Sequence, residues 1–397
     1  MKGLNYKFFP ILLLGFLRVA NTTSINLAIP LYYYRTGVRP DLIGLITSAL
    51  TFTYIFSTLA FKNIPDRLGK KKSLLISVGA MLLIQTIFQF SLDPLLFSIL
   101  RMIEGTFLGL FWPALGSSIS SISTREEVQY NDALKDKLMK NYSLSWNFGG
   151  IFSFLLGTIV LFVISDINII FDITLIFLGI AFIAALIFEE PKNIIEGKEE
   201  IPLLDKKKIN SLTREYINFP LYIPLFILIM YAFLTNAHTF IYPLKSEVLG
   251  FLLFTNYFVT FILSTSRLIF TAKFMTFSIK LLKKFVISSL TILITAFLLM
   301  GLSQNLIIFG ILFGIIGLSL SILYCLSFKL IMFKNISQKT SKYSSYFEST
   351  LGFGFFLGPI ISGFVANINI DLAYFFLAIL SSSALIVFLI LKNKIES

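Results

Sequence analysis

Cysteine and histidine are almost missing from this 397-residue sequence, with one of each, Cys325 and His238. A lone cysteine excludes an intrachain disulfide and any CxxC metal site. No HExxH or aspartate-rich metal motif occurs, and no GxxxxGK[ST] phosphate loop. An intramembrane metalloenzyme and a pump with its own ATP-binding domain are therefore not expected, nor is any cofactor or metal. Charge is scarce as well. Asp, Glu, Lys and Arg supply 14% of the residues, against about 25% in a soluble domain. Water is not the main solvent of this chain.

What is there instead is apolar. Hydrophobic residues make up 56% of the chain and the mean hydropathy is +0.85. Runs of about 20 apolar residues recur along its length, enough for a helix to cross about 30 Å of hydrocarbon. An unpaired backbone group in lipid costs several kcal/mol, so such runs must be helices. The pattern predicts an all-α polytopic membrane protein with twelve spans. In the first half they lie at 8–34, 41–64, 73–92, 94–123, 141–164 and 169–188. In the second half they lie at 220–244, 248–273, 284–303, 305–334, 343–366 and 371–391. The first run is too long for a signal peptide and lacks a small-residue cleavage pattern, so it reads as the first span.

The net charge of +12 would point to nucleic acid in a soluble protein. Here most of the Lys and Arg share one side of the predicted spans, while the opposite loops hold only Arg35, Arg39 and Lys245. The positive-inside rule then predicts both termini in the cytoplasm and a place in the cytoplasmic membrane. No nucleic-acid partner is expected; the bilayer is. The longest break, EEPKNIIEGKEEIPLLDKKKINSLTREY at 189–216, is charged and lacks apolar periodicity. It predicts a solvated cytoplasmic linker, 189–219, between six-helix bundles at 1–188 and 220–397.

Between the second and third spans stands PDRLGKKKS at 65–73. Asp66, Arg67, Gly69 and Lys70 in that order resemble the loop signature GxLaDrxGrr of the major facilitator superfamily, with Lys62 where the family has its first glycine. The fourth span, RMIEGTFLGLFWPALGSSIS, is similar to the family's RxxxGxG motif through Arg101, Gly105 and Gly109. Small residues at four-residue spacing let helices approach closely. The fifth span, YSLSWNFGGIFSFLLG, carries Trp146 and Gly149 of a further family pattern but has Ser153-Phe154 for Gly-Pro. The eleventh, FESTLGFGFFLGPIISG, has the Gly-Pro form with Gly354, Gly358 and Pro359, a weak internal repeat. The equivalent loop of the second half, TAKFMTFSIKLLKK, lacks both the Asp and the Gly.

The resemblance implies two pseudo-symmetric six-helix bundles working by alternating access, with spans 1, 4, 7 and 10 lining a central cavity. It implies that Asp66 belongs to an inner gate. Arg18 lies about 11 residues into the first span, about 16 Å deep at 1.5 Å per residue. A guanidinium at bilayer centre costs at least about 2.5 kcal/mol, so it should face a cavity or a partner. Thr22 and Asn26 follow on the same face. Glu104 stands one helical turn from Arg101, either as a static ion pair or, pulled both ways by burial and a neighbouring cation, as a proton carrier. Trp112, Asn236, His238, Ser321 and Tyr324 complete the cavity candidates, with His238 equally suited to a proton relay or an interfacial position.

The expected activity is proton-coupled efflux of a drug-like or amphipathic metabolite by a monomer, with the solute and protons as partners. Import of an organic anion or sugar-type solute is the alternative, favoured by the deep Arg18. A non-transporting sensor or assembly protein that kept the fold is the alternative of another class, and the degenerate second-half loop is its support. An enzyme is not expected.

Overall fold

The computed structural model describes residues 2–61, 63–123, 132–190, 219–337 and 342–395. Lys62 and most of the 189–219 linker lie outside the described residues. Among the described residues the long elements are all helices: α1 Lys2–Arg35, α2 Pro40–Ala60, α3 Lys70–Phe88, α4 Pro94–Ser123, α5 Asp132–Val163 and α6 Asn168–Ile187. The second half adds α7 Tyr222–Val248, α8 Leu253–Phe274, α9 Ile279–Leu302, α10 Leu306–Ser337, α11 Lys342–Ile368 and α12 Ile370–Leu391. All twelve are long and apolar enough to cross a membrane. Exposed Leu83, Phe162 and Ile307 on their outer faces are side chains for lipid.

The expected spans recur with three informative differences. The second helix stops at Ala60, and IPDRL forms a separate helical turn, Ile64–Leu68, that ends at Gly69. The ninth begins at Ile279, several residues earlier than expected, because Ser278 caps it by accepting from the Leu281 amide. Its first turns hold Lys280 and Lys284, whose stems can lie along apolar surface while the ammonium reaches outward, and Lys283, which is buried. The seventh runs through Pro243 to Val248, beyond the expected end at 244.

Short loops make neighbouring helices antiparallel, and each loop has its own chemistry. Asp93 accepts from the Leu95 and Leu96 amides with Pro94 as the first residue of α4. Asn369 accepts from the Asp371 and Leu372 amides at the start of α12.

The helices cluster as two compact units, Met1–Ile194 with Tyr242–Phe261, and Ile195–Ile241 with Ile262–Ser397. In the first, α1 packs on α5 and α6, α2 on α4, and α3 on α4 and α6. Its core is aliphatic and aromatic, built on Leu14, Leu17, Phe111, Leu115 and Leu178. The closest approach is at α2 and α4. A Cβ at Gly105 would stand 2.1 Å from the Leu50 carbonyl oxygen, and one at Gly109 2.0 Å from Ser57 Oγ. No larger residue fits there, which gives the small residues of α4 their physical meaning. Gly149 performs the same service for α5 against Phe16 of α1. In the second unit, α9 packs on α10 and α12, and α11 on α10 and α12. Gly354 of α11 lies against Ala232 of α7, and Gly358 against the Phe233 carbonyl. Pro359 sits inside α11.

Candidate functional site

The first unit holds a polar network in an otherwise apolar core. From α1, Arg18 donates through Nη2 to Glu104 Oε1 at 3.1 Å and through Nη1 to Asn21 Oδ1. From α4, Arg101 Nη1 reaches Glu104 Oε2 at 2.6 Å, and its Nη2 reaches Asn26 Oδ1. Gln85 of α3 donates to Glu104 Oε1 at 3.0 Å and accepts from Asn21 Nδ2 at 2.8 Å. Asn21 also donates to the Thr174 carbonyl of α6 at 2.8 Å. Three helices, α1, α3 and α4, are thus tied through one carboxylate, and Asn21 adds α6 to the network.

Helical spacing builds this arrangement. Arg101 and Glu104 are one turn apart, as are Arg18 and Asn21, so each pair projects together. Arg18 is 1% exposed, and Arg101 and Glu104 are fully enclosed. Both Glu104 oxygens accept charge-assisted hydrogen bonds, the geometry of an ionised carboxylate. Two guanidinium groups surround it, so the enclosed triad carries a net charge of +1. Nε of Arg18 and of Arg101 has no partner among the described residues. Removing one partner from a buried ion pair costs about 3–5 kcal/mol, so this cluster stays together only while every helix holds its position.

The structure joins Arg18, Asn26, Arg101 and Glu104, four of the residues singled out in the sequence. Thr22 is half-buried and donates to the Arg18 carbonyl at 2.8 Å. Asn21, Gln85 and Thr174 went unnoticed in the sequence. The signal for the first two was a carboxamide within an apolar span, which needs a buried partner as surely as a charge does.

Trp112 is half-buried and stands edge-on to Phe111, with ring centroids 5.2 Å apart. Trp146 is half-buried in α5. In the second unit Asn236 donates to the Phe355 carbonyl at 2.7 Å, tying α7 to α11. His238 is enclosed between Phe297 and Phe313; Nδ1 lies 2.7 Å from the Leu234 carbonyl and Nε2 has no partner among the described residues. Ser321 of α10 donates to the Gly317 carbonyl and to the Arg267 carbonyl of α8. Tyr324 packs its ring against Tyr231 and Phe347.

At the loop between α2 and α3, Asp66 and Arg67 are exposed, while Lys70 is buried. Gly69 has φ +96°, a conformation that disfavours any side chain. The free amides at the start of α3 are met from the far end of the first half. Glu190 accepts from the Lys70 amide at 2.8 Å through Oε1 and from Lys71 through Oε2 at 3.5 Å. A carboxylate at a helix N-terminus is favoured by both the unpaired amides and the helix dipole. This residue too was missed, because nothing local in the sequence links position 190 to position 70.

Twelve apolar helices with an enclosed ion network define a polytopic membrane protein of the solute-transporter kind. The chain belongs to the Major Facilitator Superfamily, whose family model matches residues 11–335. No curated protein matches the chain. Among solved structures, the nucleoside transporter NupG superposes with a TM-score of 0.72 at 14% identity, covering 97% of this chain and 98% of that one. A bacterial homologue of the human lysosomal transporter Spinster, in an inward-facing and unoccupied conformation, gives 0.72 at 14% identity, over 98% of this chain and 95% of that one. At such identity the likeness is one of fold. The chain is a membrane transporter of a small solute and not an enzyme.

Proposed function

We propose that this protein is a secondary active transporter that exports an amphipathic organic solute by alternating access, coupled to protons through Glu104. The observation that carries this reading is the enclosed triad Arg18–Glu104–Arg101. A proton cannot load onto Glu104 while two guanidinium groups and Gln85 hold its oxygens, since that would raise the enclosed charge to +2. Loading therefore requires α1 or α4 to draw an arginine away. Protonation and helix movement become one step, which is what tight coupling demands.

The loop at 65–73 supplies the inner gate in this reading, with Asp66 exchanging partners between states and Glu190 pinning the start of α3. Both termini and the linker face the cytoplasm, the bundles are 1–188 and 220–397, and the protein works as a monomer in the cytoplasmic membrane. The aromatic content, with 44 Phe and 16 Tyr, supports an amphipathic cargo over a heavily hydrated one.

The test is flux in reconstituted liposomes across a broad solute panel, with and without a pH gradient. Glu104→Gln is expected to abolish uphill transport yet permit downhill exchange. A mutant whose flux keeps its pH dependence refutes the coupling role and returns Glu104 to a static ion pair.

A further inference from the structure

Asn21 of α1 and Gln85 of α3 face each other and exchange hydrogen bonds. Asn21 Nδ2 donates to Gln85 Oε1 at 2.8 Å, and Gln85 Nε2 donates to Asn21 Oδ1 at 3.2 Å. Both side chains are enclosed. A carboxamide by itself can turn over and trade its oxygen for its nitrogen. This pair cannot. Asn21 Nδ2 also donates to the Thr174 carbonyl of α6 at 2.8 Å, and a carbonyl only accepts. Asn21 Oδ1 accepts from Arg18 Nη1, and a guanidinium only donates. Turning Asn21 would set oxygen against oxygen at Thr174 and donor against donor at Arg18. Gln85 is held in turn, because its Oε1 must accept from Asn21. Its Nε2 therefore points at Glu104 Oε1, 3.0 Å away.

The two oxygens of Glu104 are thereby made unlike. Oε1 receives both Gln85 Nε2 and Arg18 Nη2, so a proton placed there would face two donors and no acceptor. Oε2 receives Arg101 Nη1 at 2.6 Å. The other contact of Arg101 is Asn26, which is half-buried, whereas Asn21 beside Arg18 is fully enclosed. The Oε2 side is the less tightly sealed of the two. The other helices bring no charge to the carboxylate. α2 carries only Asp41, in its first turn and paired with Arg39, and α6 carries only Asp172, which is exposed. The bases of α3, Lys70–Lys72, stand about 20 Å from Gln85 at 1.5 Å per residue.

We propose that Asn21 and Gln85 are positioning residues that reserve Glu104 Oε1 as an acceptor and direct the coupling proton to Oε2. Arg101 is then the arginine that withdraws, and Arg18 stays. This rests on the proton-coupling reading and names the atom that takes the proton and the group it replaces. A hydronium proton forms an O–H bond at Oε2 while the hydrogen bond from Arg101 Nη1 to that oxygen breaks. The carboxylate becomes neutral as one guanidinium leaves, so the enclosed charge is +1 after the exchange as it was before. Withdrawal of Arg101 also breaks its bond to Asn26, which ties the step to α1.

The experiment uses the full-length protein in nanodiscs without solute. Infrared difference spectra on acidification read the C=O stretch of a protonated carboxyl, and Glu104→Gln identifies the part of the signal that belongs to this residue. Arg101→Gln leaves Oε2 open and should gain the Glu104 band, about tenfold stronger than wild type at the same mildly acidic pH. Arg18→Gln should not gain it, since Gln85 still holds Oε1 and Arg101 still holds Oε2. Adding Gln85→Met to Arg18→Gln opens Oε1, and the band should appear. Adding Asn21→Leu instead keeps Gln85 but frees it to turn, and the band should appear again. A merely structural role for the two carboxamides would lower thermal stability in these variants and leave the band unmoved. The proposal is overturned by a band in Arg18→Gln alone, by none in Arg101→Gln, or by a silent Asn21→Leu combination. If a combined variant does not fold, the contrast between the two single arginine variants decides. If Glu104→Gln uncouples flux in the liposome panel while Arg18→Gln gains the band, this inference falls and the coupling reading stands. If the bands follow the expected order while Glu104→Gln keeps the pH dependence of flux, the coupling reading falls alone.

Discussion

Glutamine in place of Glu104 keeps the shape of the side chain and removes its charge. The structure says what remains. Arg18 at 3.1 Å and Arg101 at 2.6 Å lose their shared anion in a site where all three side chains are 1% exposed or less. One carboxamide oxygen still accepts, but the new amide donor points at a guanidinium or at the Gln85 amide, donor against donor. Breaking a buried pair from one side costs about 3–5 kcal/mol. At about 1.4 kcal/mol per tenfold, the unfolding equilibrium should shift by two to three orders of magnitude. The surplus positive charge makes a sharper forecast. Arg18→Gln leaves the neutral pair Arg101–Glu104 and should cost less than Glu104→Gln. Adding Arg18→Gln to Glu104→Gln should recover part of the loss, since one guanidinium in the site is less costly than two. Thermal unfolding of the four proteins in nanodiscs gives the cycle directly. Independent, additive losses, or a Glu104→Gln protein as stable as wild type, would show that the site is wet and screened, and the argument from enclosure would fail.

Three further outcomes follow from particular contacts. Gly157→Ala should cost about 1–3 kcal/mol, because its Cβ would stand 2.3 Å from the enclosed Tyr257 ring; a mutant with unchanged thermal stability refutes that contact. Glu190→Gln should weaken the start of α3 by about 0.5–1 kcal/mol, visible as faster hydrogen exchange at the Lys70 and Lys71 amides that it caps, and unchanged exchange would remove the cap. Asp66→Asn should impair flux without changing membrane insertion, since Arg67 and Lys70–Lys72 still anchor the loop; normal flux would remove Asp66 from the gate.

Most of the fold was present in the sequence. Lipid permits only helices at such lengths of apolar chain, so twelve runs near 20 residues imply twelve helices wherever their side chains point. Motif spacing then placed Gly105, Gly109 and Gly149 at close contacts, because an i, i+4 row of small residues has one physical use. The site was only half legible. Arg18, Asn26, Arg101 and Glu104 each announced the need of a partner, and Arg101 with Glu104 announced the partner as well, one turn away. That Arg18 and Gln85 share the carboxylate, or that Glu190 caps Lys70, depends on which helices lie side by side. Residues 18, 85 and 104 stand on three helices, and 70 and 190 are separated by four. Sequence periodicity fixes the face of a helix, not its neighbour. Arg267 shows the other limit. In the sequence it is one more base within a span, no different from Lys329. Only packing reveals that the Lys329 ammonium reaches the Phe277 carbonyl while the Arg267 side chain has no hydrogen bond or ion pair among the described residues.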